Sequence, residues 1–208
     1  MHGHRDETHG VHLNPAGVPT DWRVATALLP LRTNAKGWGE YQAADYDELV
    51  DTPVELGAFW SGSFEACGVP HRFVVAGSPP SFDAARLLRD TQRICETHIR
   101  FWHGEGKTTG RVAAPVHDRY VFMLNAVDNG YGGLEHRHST ALIAQRSDLP
   151  RVGEGKTSEG YMTLLGLISH EYFHTWNVKR LRPREFERYD WARENHTELL
   201  WFFEGLTS

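Results

Sequence analysis

Two histidines and a glutamate lie close together in the segment LLGLISHEYFHTW, residues 164–176. His170 and His174 are four residues apart, and on a helix this spacing directs both imidazoles from one face toward a common metal ion. Glu171 projects to one side of that face, where its carboxylate can reach a metal-bound water without ligating the metal. This H-E-x-x-H arrangement predicts a hydrolytic metal site with Glu171 as general base. The motif alone leaves open that the histidines are structural.

A catalytic zinc ion usually has three protein ligands, so a third ligand must come from elsewhere in the chain. Glu204 is the preferred candidate, because it interrupts the apolar segment LLWFFEGLTS, where an unpaired carboxylate is costly to bury. A salt-bridged glutamate is the alternative. The spacing of Asn195 and Glu198 predicts a helix-capping box, in which the Glu198 side chain would accept a hydrogen bond from the first backbone amide and not bind a metal. The remaining acidic candidates lie in a polar, charge-alternating connector that is typical of a solvated surface: Glu185, Glu187, Asp190 and Glu194.

Helices must position these groups. An amphipathic segment that Ser81 can cap and that Gly104 ends predicts one helix. The H-E-x-x-H segment predicts a second helix, from about residue 158 to about residue 180, because Pro183 prevents it from continuing much further.

Strands are indicated before and between these helices. Residues 71–77, 118–127 and 139–147 are rich in β-branched and aromatic residues. The middle segment is apolar on both faces, which predicts a position inside a sheet. The sequence therefore predicts a mixed α+β domain around the metal site.

Composition excludes several classes of function. The 208 residues carry a net charge of -5, which provides no basic surface for nucleic acid. No apolar run approaches the roughly 20 residues of a membrane span, and the mean hydropathy is -0.50. Cys67 and Cys95 lie far apart, which favours free thiols in a reducing compartment. Together with the lack of a signal segment, this predicts a cytoplasmic protein.

Three separated segments resemble a known family and occur in its order: YGGLEHRHST (131–140), HEYFHTWNVKRLRP (170–183) and ENHTELLWFFEGLTS (194–208). From about Trp22 onward the chain is similar to the glycyl aminopeptidases, metallopeptidase family sixty-one, which are related to the thermolysin-like gluzincins. The resemblance implies one zinc ion held by His170, His174 and Glu204, with Glu171 as general base and proton shuttle. It also implies a zincin fold, in which a twisted mixed sheet with an exposed edge strand packs against the metal-bearing helices.

The GGLEH segment, residues 132–136, falls where related aminopeptidases carry an edge-strand motif. Gly132 and Gly133 would let a substrate backbone approach and pair with the strand. By the resemblance, Glu135 binds the free α-ammonium of the peptide. A plain hairpin turn with a solvated glutamate is the alternative.

The function that the resemblance implies is zinc-dependent release of small N-terminal residues, glycine or alanine, from peptides with a free N-terminus. The alternative is a fragment that binds zinc or peptide without turnover. Residues 1–12 are expected to be a disordered tail, whose histidines (His2, His4, His9 and His12) offer a second, weaker metal site. Residues 13–57 are expected to be the remnant of an N-terminal β domain and an irregular connector. Residues 58–208 are expected to form the first part of a gluzincin catalytic domain, truncated where the third-ligand helix begins.

The chain departs from the family in length. Members continue well beyond the third ligand, so the far wall of their cleft and the residue that stabilises the oxyanion would follow Ser208. Tyr172 is a poor substitute, because helical spacing puts it opposite the ligands. Tyr131 and Tyr189 remain open for that role. Ser208 occupies the position from which a carboxylate can orient a ligating histidine in gluzincins, and the sequence leaves the oligomeric state open.

Overall fold

The structure is a computed structural model that describes residues 3–104 and 117–207. Its N-terminal region has two small antiparallel sheets and one short helix: β1 (His9–Leu13), β2 (Arg23–Thr26), β3 (Leu29–Thr33), β4 (Gly39–Ala43), α1 (Tyr46–Val50) and β5 (Val54–Gly57). Strand β4 lies between β1 and β3, and β2 pairs with β5. Side chains that include Val24, Trp38 and Tyr41 fill the core of this region.

Two expectations for this region are wrong. The predicted tail over residues 1–12 is ordered in its second half, because residues 9–12 pair with β4; His2 lies outside the described residues. The segment predicted to be an irregular connector contains β4, α1 and β5. These elements are only four or five residues long and mix polar with apolar side chains, so their periodicity is weak. Asp45 caps α1 by accepting a hydrogen bond from the Glu48 amide at 2.7 Å.

A five-stranded mixed sheet forms the centre of the rest of the chain. Its strands are β6 (Phe59–Ala66), β7 (Val69–Ala76), β8 (Tyr120–Val127), β9 (Gly132–Glu135) and β10 (Ser139–Gln145), in the order β6-β7-β8-β10-β9. The β8 strand is parallel to both of its neighbours, and β6 and β9 run antiparallel at the two edges. The prediction that 118–127 lies inside the sheet is confirmed, and the GGLEH segment forms an edge strand.

Two long helices, α2 (Ala84–His103) and α3 (Glu159–Phe173), pack on one face of this sheet. The main core lies between these two helices and the sheet, and it includes Phe73, Phe122 and Leu142 from the strands. Ala25 and Ala27 from the N-terminal region cover part of the opposite face. The sheet therefore joins the N-terminal region to the helix that carries the H-E-x-x-H motif.

The helix ends differ from the sequence prediction in two places. Asp83, not Ser81, caps α2, since its side chain accepts a hydrogen bond from the Arg86 amide; the predicted stop at Gly104 is confirmed. Helix α3 ends at Phe173, not near residue 180. The chain turns after it, and Val178 takes a left-handed φ of 100°.

The described residues thus form a mixed α+β fold. None of their helices has the length and apolarity needed to cross a membrane. Cys67 and Cys95 form no disulfide bond in the part of the chain that the structure describes.

Candidate active site

Helix α3 carries the motif and is stabilised by a capping hydrogen bond at its start and by burial of its apolar face. Ser158 caps its start by accepting a hydrogen bond from the Tyr161 amide at 3.1 Å. Leu164 and Ile168 are buried in the main core. One turn later the same helix directs His170 and Glu171 toward the GGLEH segment and the last helix, α4 (Leu200–Thr207).

The side chains of His170, His174 and Glu204, hereafter the donor triad, meet at one point. The Nε2 atoms of the two histidines are 3.2 Å apart. The Oε2 atom of Glu204 lies 3.3 Å from His170 Nε2 and 3.5 Å from His174 Nε2. Of the six acidic residues considered as third ligand, Glu204 is thus the one whose oxygen reaches both imidazoles.

The second imidazole is held in a defined orientation. His174 is 1% exposed, and its Nδ1–H donates to the carbonyl oxygen of Asn177 at 2.8 Å. Because Nδ1 is the donor, Nε2 carries the lone pair and faces the donor triad. The buried Asn177 amide in turn donates to Phe203 O at 3.0 Å and to Thr207 Oγ1 at 3.1 Å. Asn177 therefore couples the turn after α3 to helix α4, a role that its position in TWNVKR did not indicate.

Glu204 reaches the site for a reason other than the one inferred from sequence. Its side chain is 53% exposed, so the assumption of a buried carboxylate is wrong. The neighbouring Phe203 is the buried residue of α4, packed with Val178 and Phe186. That packing orients the helix and leaves Glu204 on the side facing the histidines. The predicted capping box is also wrong, because Asn195 accepts from the Asp190 amide and α4 begins only at Leu200.

Glu171 is the most buried carboxylate of the site, with 4% exposure. Its Oε2 atom makes no hydrogen bond within the described residues. Ligand atoms of Glu135, Glu171 and His174 all lie within 4.8 Å of one another. Burial, and secondarily the charges of Glu135 and Glu204, raise the pKa of Glu171 to about 7. Such a carboxyl group can exchange a proton near neutral pH.

Burial and the neighbouring His174 ring lower the pKa of His170 and outweigh the opposing effect of Glu204. This favours neutral imidazole, which is the form that binds metal.

Gly133 lies directly against the Glu171 side chain. A β-carbon at this residue would overlap the carboxylate of Glu171. The edge strand therefore approaches the predicted base closely because it lacks a side chain at this point.

We expect Gly133→Val to displace the Glu171 carboxylate and to reduce turnover by about tenfold or more, since small misplacements of catalytic groups are costly. Metal content should be unchanged, because the donor triad is not touched. Gly10→Val is the matched control: Gly10 is also a strand glycine, but an added β-carbon there meets no atom within 4 Å. Equal activity of the two variants would contradict this role.

The three tyrosines considered for stabilising the oxyanion have different surroundings. The prediction that Tyr172 points to the opposite side of α3 is confirmed, because its hydroxyl hydrogen-bonds to His71 Nε2 at 2.8 Å and to His117 Nε2 at 2.9 Å. Tyr131 is 62% exposed. Tyr189 packs between Phe186 and Trp191. Ser208 lies outside the described residues.

A cavity of about 260 Å³ opens beside Glu135. Its wall combines side chains from the N-terminal region, the end of β9 and the segment after α3, including Val50, Leu134, Lys179 and Tyr189. The donor triad does not line it, so the cavity adjoins the predicted α-ammonium site and not the metal site.

The donor triad fits a zinc ion. Ligand atoms about 2.1 Å from a tetrahedral ion are roughly 3.4 Å apart, close to the three separations found here. The set contains two imidazole nitrogens and one carboxylate oxygen, which is a composition found in catalytic zinc sites. The orphaned Oε2 atom of Glu171 is next to this set and is not needed to complete it.

Two family models match parts of the chain. Residues 1–58 match the model of the peptidase M61 N-terminal domain, and residues 163–208 match the model of M61 glycyl aminopeptidase. The first match begins earlier than Trp22, where the resemblance of the sequence motifs began. No curated protein matches the chain.

A crystal structure of an aminopeptidase N family protein from Idiomarina loihiensis is similar to the chain with a TM-score of 0.88 and 37% identity. The similarity covers 99% of this chain and 33% of that one, so the chain spans about a third of the relative's length. Legionella pneumophila aminopeptidase A in complex with aspartic acid gives a TM-score of only 0.47 at 14% identity, over 74% of this chain and 18% of that chain. With the two M61 matches in their order along the sequence, the chain belongs to the M61 glycyl aminopeptidase family.

Proposed function

We propose that this chain carries the zinc-binding, proton-transfer and N-terminus-binding groups of an aminopeptidase with a thermolysin-like zincin fold. The observation that carries the proposal is the convergence of three donor atoms within 3.2–3.5 Å, next to the buried carboxylate of Glu171. Membership of a peptidase family supports peptides as the substrate class.

One zinc ion is the proposed cofactor, with His170, His174 and Glu204 as its ligands. When bound in a three-ligand site, zinc acts as a Lewis acid that polarises the scissile carbonyl and acidifies water. The Nδ1–H group of His174 donates to the Asn177 carbonyl oxygen, which supports Nε2 as the ligand atom.

Glu171 is the proposed general base. Its Oε2 atom is buried and lacks a hydrogen-bond partner among the described residues, so it is available to accept a proton from the attacking water. The same carboxyl group then returns the proton to the departing amine.

The edge strand β9 is the proposed substrate-binding strand. Among the described strands only β10 pairs with it, so its second edge is open to an extended peptide. Gly132 and Gly133 allow close approach of a peptide backbone. Glu135 lies at the end of the strand, within 4.8 Å of the Glu171 and His174 ligand atoms, where it can pair with a free α-ammonium. The family description supports glycine, or the similarly small alanine, as the first residue.

The alternative function is metal or peptide binding without turnover. Zinc stoichiometry, measured together with hydrolysis of amino-acid anilides, separates the two. Metal binding with turnover supports the aminopeptidase, and metal binding without turnover supports the alternative.

We expect the protein to cleave alanyl peptides with a free N-terminus far better than their acetylated forms. Acetylation removes the charge that Glu135 pairs with, which is a loss of roughly 2 to 5 kcal/mol for a buried charge pair. Glu135→Ala should abolish most of the difference by slowing the free peptide. The measurement is kcat/KM for both peptides with both proteins.

Glu65→Ala is the control for this experiment, because Glu65 is an exposed strand glutamate on β6, at the opposite edge of the sheet. It should keep the preference for the free peptide. Equal rates on free and acetylated peptides in the unmutated protein would exclude the aminopeptidase. The protein would then be a peptidase that does not recognise a free N-terminus.

A further inference from the structure

Asp51 joins three separate parts of the chain. It directly follows helix α1 in the N-terminal region, and its side chain is 20% exposed. Its Oδ1 atom accepts from Lys179 Nζ at 2.9 Å and from His136 Nδ1 at 3.2 Å, and Oδ2 accepts from the Arg137 amide at 2.9 Å. Burial alone would raise the pKa of Asp51, but these hydrogen bonds and the charge of Lys179 lower it to about 2.

The partners of Asp51 are next to the substrate-binding and metal-binding groups. His136 and Arg137 immediately follow Glu135, at the end of the edge strand. The Lys179 amide donates to the His174 carbonyl oxygen at 3.2 Å, so Lys179 belongs to the turn that ends the metal-bearing helix. A single carboxylate therefore connects the strand end that carries Glu135 with the turn that carries His174.

The edge strand needs such a connection. Strand β9 has four residues and, among the described strands, is held on one side only, by β10. Glu135 is its last residue and lies opposite Thr140, next to the turn in which the His136 amide donates to Ser139 O at 2.9 Å. Asp51, Leu134 and Glu135 all line the cavity described above, so a shift of the strand end would change its shape.

We propose that Asp51 is a positioning residue for substrate recognition: it fixes Glu135 at the distance from the donor triad at which a free α-ammonium is bound. The proposal rests on the proposed function, since it takes Glu135 as the ammonium site. Asp51 contacts neither substrate nor metal and acts through the backbone and side chains of residues 136, 137 and 179. Its effect should thus fall on recognition of the free N-terminus and not on metal binding.

The test measures equilibrium binding in a background without turnover. The parent is zinc-loaded Glu171→Gln, and the probes are alanylalanine anilide and its N-acetyl form. The quantity is the ratio of their dissociation constants, acetylated over free. We expect Glu171→Gln/Asp51→Asn to lower this ratio at least tenfold by weakening the free peptide alone, with unchanged zinc content. Asp51→Glu, which keeps the charge, should recover part of the ratio.

Asp90→Asn is the matched control. Asp90 lies on α2, is similarly part-buried, accepts a hydrogen bond from the Tyr161 hydroxyl at 2.9 Å and pairs with Arg86, and it does not line the cavity beside Glu135. It should leave the ratio unchanged. If Asp51→Asn fails to fold, Lys179→Gln removes one of the three contacts and should lower the ratio in the same direction.

The outcomes separate the two proposals. A high ratio in the parent that persists in Asp51→Asn and in Lys179→Gln would overturn the role of Asp51 and leave the proposed function intact. Equal weakening of both probes would also overturn it, because it would indicate general damage. A ratio near one in the parent itself would overturn the aminopeptidase proposal and, with it, the role of Asp51.

Discussion

Glu171→Gln is expected to retain zinc and to lose turnover by about 10²-fold or more. Glutamine keeps the size and hydrogen-bonding shape of the side chain but cannot accept the proton of the attacking water. The donor triad does not include Glu171, so metal content should match that of the unmutated protein. The measurements are zinc per chain and kcat for an alanyl or glycyl anilide.

The control for this substitution is Glu159→Gln on the same helix, where the side chain is exposed in the first turn. It changes the same charge and should leave both zinc content and turnover unaltered. Substantial activity of Glu171→Gln would show that water is activated by another group. Loss of zinc would instead show that Glu171 takes part in holding the metal, as the grouping of Glu135, Glu171 and His174 would allow.

His174→Ala is expected to weaken zinc binding by more than about 10²-fold, which exceeds the usual effect of losing a residue that only orients a ligand. The substitution removes one of three ligands and the ring whose Nδ1 hydrogen-bonds to Asn177. Zinc affinity is measured by competition with a chelator, so the result does not depend on activity. The unmutated protein should bind about one zinc ion.

The fold of this variant needs a separate check, because His174 is buried. His170→Ala removes a ligand whose side chain is 26% exposed and should give the same loss with less disturbance of the core. His12→Ala, an exposed histidine of β1, should keep full zinc binding. Unchanged affinity in both ligand variants would show that the triad contacts are only hydrogen bonds among the three side chains.

Much of the fold was predictable because it depends on local patterns. The apolar run of β8 indicated an interior strand, and Gly104 indicated the end of α2. Elements of four or five residues in the N-terminal region were missed, because so few residues give little periodicity. The end of α3 was also missed, since the turn at Val178 is stabilised by contacts with α4 that lie outside the local sequence.

The sequence by itself determined the pairing of His170 with His174 and the place of Glu171 beside them, because four-residue spacing on a helix brings side chains to one face whatever surrounds them. Only the tertiary structure decided which acidic residue joins them. Glu204 is thirty positions after His174, and its approach depends on the burial of Phe203 and on the hydrogen bonds of Asn177. The contacts of Asp51 also could not be predicted from the sequence. They join segments more than 80 residues apart, and such contacts depend on tertiary packing and not on local residue spacing.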